Sequence, residues 1–161
     1  MALRNIVTVG DSVLNKVCRP VTKFDRRLHL LLDDMAETLL DANGVGLAAP
    51  QVGVLRRVVL VDTGEEILEL INPEIIRSSG EQTGVEGCLS VPGKYGIVTR
   101  PNVVAVRAQD RFGEWFEAEG EELIARCFCH ELAHLDGQLY TEVAERMLTA
   151  EELEAMCKED D

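Results

Sequence analysis

Cys127-Phe128-Cys129-His130-Glu131-Leu132-Ala133-His134-Leu135-Asp136-Gly137 holds the residues best suited to chemistry, including two of the chain's three histidines. Its pattern is His-Glu-x-x-His. On a helix, positions i and i+4 share one face about a turn apart, so His130 and His134 can grip a single ion. Glu131 then points beside that ion, where a general base for activated water belongs. The competing reading is an amphipathic helix with two core histidines.

A catalytic site of the zinc type needs a third protein ligand and an open position. Two residues compete for that place. Glu154 lies 20 residues beyond His134, a spacing that gluzincin peptidases use, but in Ala150-Glu151-Glu152-Leu153-Glu154 a solvated acidic face is the ordinary explanation. Cys88 sits in Glu86-Gly87-Cys88-Leu89-Ser90-Val91-Pro92-Gly93, a stretch expected to be a loop able to carry a thiolate to an ion. Taken alone, it reads as a small buried apolar residue.

The elements that must position these groups follow from periodicity. Leu28, Leu31, Leu32, Met35 and Leu39 recur at helical spacing, predicting a helix over Asp25–Asn43 that Asn43-Gly44 ends. Gly44–Gly53 looks too irregular for an element. Arg57–Asp62, Glu69–Asn72, Gly96–Thr99 and Val103–Gln109 read as strands, and Arg111-Phe112-Gly113-Glu114 as a hairpin turn into Trp115–Ala118. Gly120-Glu121-Glu122 is expected to open the His-Glu-x-x-His helix, with Asp136-Gly137 closing it. Thr149-x-x-Glu152 is a capping box for a last helix to Lys158. Strands and helices in blocks indicate an α+β fold with a mainly antiparallel sheet.

Composition narrows the function. A length of 161 residues suits one domain, 1–161, and 46% hydrophobic residues with a mean hydropathy of zero suit a soluble protein. No apolar run approaches the roughly 20 residues that span a bilayer, and Met1–Ile6 lacks a signal-peptide pattern. Five scattered cysteines point to a reducing, cytoplasmic setting rather than a disulfide framework. A net charge of −13 argues against a general polyanion-binding surface and against DNA, without excluding a small basic patch.

Three segments, in order, resemble peptide deformylase: Gly44-Val45-Gly46-Leu47-Ala48-Ala49-Pro50-Gln51, Glu86-Gly87-Cys88-Leu89-Ser90 and His130-Glu131-Leu132-Ala133-His134. The likeness extends from Gly10-Asp11-Ser12-Val13-Leu14 to Asp136-Gly137. It implies a sheet packed around a central metal-binding helix, and a hydrolase that removes the formyl group from N-formylmethionyl nascent chains and releases formate. It also implies Cys88, rather than Glu154, as the third ligand beside His130 and His134. The ion expected is one Fe²⁺ per chain, for which Zn²⁺, Ni²⁺ or Co²⁺ can substitute. Transient contact with the ribosome is expected, and none with membranes.

By the same resemblance, Glu131 moves the proton, while the Gln51 side-chain amide and the Leu89 N–H receive the developing oxyanion. Val45, Gly46 and Gly87 are expected to bind the peptide as an added strand, glycine allowing close approach. Leu123, Cys127, His130 and His134 share a helix face by the i, i+4, i+7, i+11 rule, placing Leu123 and Cys127 as an apolar wall for the methionine side chain. Two positions depart from the family: Ala133, where Asp is usual, and Cys129, where Gln is common. The carboxylate missing at 133 is expected to leave the helix without a brace, Arg100 being its candidate partner.

Overall fold

Val58-Val59-Leu60-Val61 is a continuous apolar run, and the computed structural model buries all four residues completely. A strand with no polar face must be covered on both sides. Val59 and Val61 pack with Phe128, Leu132 and Leu135 of one helix. Val58 and Leu60 pack with Leu28, Leu32, Met35 and Leu39 of another. The second is α1 (Arg26–Asp41), capped by Asp25, whose carboxylate accepts from the Leu28 N–H at 3.2 Å. The first is α2 (Leu123–Leu135), which carries the two site histidines.

The structure describes residues 2–159, with side chains to residue 156. The strands are β1 (Gly46–Ala48), β2 (Val58–Asp62), β3 (Ile67–Ser79), β4 (Gln82–Cys88), β5 (Val91–Arg100), β6 (Val103–Gln109), β7 (Trp115–Glu121) and β8 (Arg146–Met147). They form a five-stranded sheet in the order β1-β2-β3-β6-β7 and a three-stranded sheet β4-β5-β8. Every strand pair is antiparallel. The α2 helix touches both sheets, so the α+β expectation with a central helix is met. No helix among the described residues is long and apolar enough to cross a membrane.

Several local expectations need correction. The α2 helix opens at Leu123, three residues after Gly120, because Gly120 and Glu121 pair with Val104 and Val103 at the end of β7. Glu122 makes the corner at φ 54°, and no acidic residue lies in the first turn. Gly44–Gly53 holds an edge strand, β1, and a 3₁₀ turn over Ala49–Val52. The stretch around Cys88 is a hairpin, with Cys88 opposite Val91 and only Leu89-Ser90 between β4 and β5. The strands expected at Glu69–Asn72 and Gly96–Thr99 are fragments of the much longer β3 and β5. At the last helix, α3 (Ala150–Glu159), the capping box forms: Thr149 and Glu152 exchange backbone-to-side-chain bonds at 3.1 and 3.2 Å.

Candidate metal and peptide site

The end of β4 and the middle of α2 meet at the site. Ligand atoms of Cys88, His130 and His134 all lie within 4.8 Å of one another there, and Cys88 Sγ is 3.4 Å from His134 Nε2. Glu154 is exposed on α3 and outside this group. His130 Nδ1 donates to Glu86 Oε1 at 2.9 Å, which turns its Nε2 towards Cys88. Tyr140 stacks on the same imidazole, ring centres 5.7 Å apart. His134 is 1% exposed, and burial, with His130 adding, pushes its pKa down to about 3, so the ring is neutral as a ligand must be.

These residues fit a divalent ion. A sulfur and two imidazoles form a donor set suited to zinc, iron, nickel or cobalt. Burial pushes the His130 pKa down, but its bonds to Cys88 and Glu86, with Glu131 nearby, outweigh it and lift it to about 10. An ion held between the donors would take the place of that proton on His130. Glu131 Oε1 is buried without a hydrogen-bond partner and lies 4.0 Å from His134 Nε2. An unsatisfied buried carboxylate oxygen is costly unless a further group completes it. Burial, opposed by His130, pushes this carboxyl up to about 7, the range in which a general base works near neutral pH.

Ten of the eleven residues singled out from sequence line one cavity of about 470 Å³, and His134 lies behind its wall. Gln51 is 1% exposed and pinned: Oε1 accepts from Ala48 N–H at 2.9 Å, and Nε2 donates to Ser90 Oγ at 3.1 Å and Cys88 Sγ at 3.5 Å. Leu89 occupies the hairpin turn beside it. Val45 and Leu123 are exposed at the mouth, whereas Cys127 is buried. The glycines serve the site's own packing. A Cβ on Gly46 would stand 2.6 Å from Cys127 Sγ and 2.7 Å from Glu131 Oε2, and one on Gly87 2.6 Å from the Tyr95 ring.

Sequence reasoning missed the support around Glu86. Arg100 holds its carboxylate through Nε and Nη2 at 2.9 and 3.0 Å, and Arg126 adds a 2.6 Å contact. Arg100 is thus already engaged by Glu86, and α2 is braced through Arg126, so the absent carboxylate at Ala133 leaves no unpaired guanidinium. The sequence signal was Arg126 itself, a cation inside an otherwise apolar helical stretch one turn before His130. Ser90 and Tyr140 gave no comparable signal.

The family model for polypeptide deformylase matches residues 3–150. The chain is 61% identical to a peptide deformylase of Agathobacter rectalis over 148 residues, covering 92% of this chain and 94% of that one. The crystal structure of a peptide deformylase from Legionella pneumophila superposes with a TM-score of 0.86 at 40% identity, over 98% of this chain and 97% of that one. The enzyme from Thermotoga maritima gives 0.86 at 40% identity, over 89% and 98%.

Proposed function

The chain belongs to the polypeptide deformylase family, metal-dependent hydrolases that remove the N-terminal formyl group from nascent peptides, and we propose how its own residues divide that work. Cys88, His130 and His134 hold one divalent ion, Fe²⁺ in the cell, with Zn²⁺, Ni²⁺ or Co²⁺ as substitutes. When bound, the ion supplies Lewis-acid activation of water and of the formyl carbonyl.

Glu131 takes the proton from the attacking water and passes it to the departing amine, a role that suits its raised pKa and unpartnered oxygen. The Gln51 amide, held by Ala48 and Ser90, offers its Nε2–H to the carbonyl oxygen as charge develops, exchanging the long contact to Cys88. The Leu89 N–H at the hairpin turn is the second donor. Because β1 is the edge of its sheet, Val45 and Gly46 can take an extended peptide as a further strand, with Gly87 opposite. Leu123 and Cys127 receive the methionine side chain. The setting proposed is the cytoplasm, with transient ribosome contact.

The observation that carries this reading is the convergence of Cys88, His130 and His134 beside an unpartnered Glu131 oxygen. The test is anaerobic formate release from a formyl-methionyl tripeptide after Fe²⁺ is restored. Formate should appear stoichiometrically with free amino termini, and the same peptide without formyl should remain uncut. A metal-replete protein that releases no formate contradicts the reading and favours a relative that only binds peptide.

A further inference from the structure

Acidic residues outnumber basic ones 29 to 16, yet residues 16–27 reverse the balance: Lys16, Arg19, Lys23, Arg26 and Arg27 stand against Asp25 alone. The fold concentrates this further. Arg19 N–H donates to Leu55 O, and Arg57 N–H donates to Arg19 O, both at 3.0 Å, forming a bridge that sets Arg19 beside Arg56. Arg19, Lys23, Arg27 and Arg56 line a cleft of about 600 Å³. None of the four makes a salt bridge among the described residues, although eight other arginines do. The one acid in the lining, Asp25, is occupied in capping α1, and the Leu28 N–H is the main cause of its lowered pKa, Arg56 a lesser one.

Backbone hydrogen bonds that hold two arginines side by side, with two more cations facing the same cleft, build a positive concavity on an acidic protein. Field focusing in such a cleft favours a polyanion. The lining has no aromatic ring, so bases have nothing to stack on and the contacts available are to phosphates. We propose that this cleft binds the phosphodiester backbone of duplex RNA without sequence preference, apart from the formyl-peptide cavity. The choice of RNA among polyanions rests on the deformylase reading, because a nascent chain is met beside the RNA of the machine that makes it.

The test is fluorescence anisotropy of the metal-loaded protein with a labelled RNA duplex of about 16 base pairs. Four phosphate contacts give a slope of roughly −3.6 in log affinity against log salt, so binding should weaken about 150-fold between 50 and 200 mM salt. Arg19→Ala should cut that to about 40-fold by removing one contact. Arg19→Glu with Arg56→Glu should abolish binding while formate release from a free formyl peptide stays within twofold. No binding at 50 mM salt, a salt slope unchanged by these substitutions, tighter binding to a mixed-sequence single strand, or preference for anionic phospholipid vesicles would each overturn the proposal. No RNA binding by the unsubstituted protein, with its formate release intact, defeats only this inference. RNA binding intact with no formate release defeats the deformylase reading instead.

Discussion

Gly46→Ala adds one methyl group where the structure has no room for it. The new carbon would sit 2.6 Å from Cys127 Sγ, 2.7 Å from Glu131 Oε2 and 2.8 Å from Glu131 Cγ. Carbon atoms prefer separations of about 3.5 Å or more, so Glu131 or β1 must move by roughly 0.7 Å. Both sides are constrained, since β1 is paired with β2 and Glu131 is 5% exposed. Overpacking of this kind costs about 1–3 kcal/mol. Displacing a reacting group by about 1 Å can cost on the order of 100-fold in rate. Turnover should therefore fall by roughly 10- to 100-fold, while ion content is kept, because the nearest atoms belong to Cys127 and Glu131 and not to the three donors. Formate release, metal analysis and thermal unfolding of the variant measure the three effects. Adding Cys127→Ala should recover part of the stability and little of the turnover. Near-normal turnover in Gly46→Ala would refute the placement of Glu131 against this strand.

Burial pushes the Glu86 carboxyl up, but bonds from His130 and Arg100 outweigh it and hold its pKa at about 2, below the ordinary 4.5. Its stabilisation, about 3 kcal/mol, is complete above the ordinary value and drains away as pH falls from about 4.5 towards 2. Glu86→Gln should cost about 3 kcal/mol or more at pH 7 by stranding Arg100 and Arg126, and flatten the acid limb of stability; denaturant titrations from pH 7 to pH 2.5 check both. Cys88→Ser should weaken ion binding and alter the cobalt-substituted spectrum, and an unchanged spectrum would exclude the sulfur as a ligand. Ala133→Asp should alter stability by no more than about 1 kcal/mol, because Arg100 is already bound by Glu86. A gain of several orders of magnitude in turnover would show that Ala133 disables the chemistry.

What the sequence revealed followed the range of each signal. The 3.6-residue period of Leu28 to Leu39 and the four-residue step from His130 to His134 are local, and both helices lie close to where those patterns put them. The Cys88 hairpin was hidden because Gly87, Pro92 and Gly93 read as loop, whereas its strands are fixed by pairing from Gln82 to Arg100 and by contact with α2. Edge strand β1 has three residues and takes its order from β2, a partner more than ten residues away. Glu86 looked like part of a motif, and only the fold shows that it gathers two arginines and a histidine from β5 and α2. Gly46 and Gly87 read as places of close approach to a ligand, and the fold adds a reason that the sequence could not show: a Cβ there would meet Cys127, Glu131 or Tyr95.

The most direct test of the account is Glu131→Gln, which keeps the size of the side chain and removes the carboxylate. The ion content and the cobalt spectrum should match the parent protein, since Cys88, His130 and His134 are untouched. Formate release from a formyl-methionyl peptide should fall by at least 100-fold, the lower end of what a positioned acid–base group contributes. Near-normal formate release from metal-replete Glu131→Gln would contradict the central claim that Glu131 carries the proton.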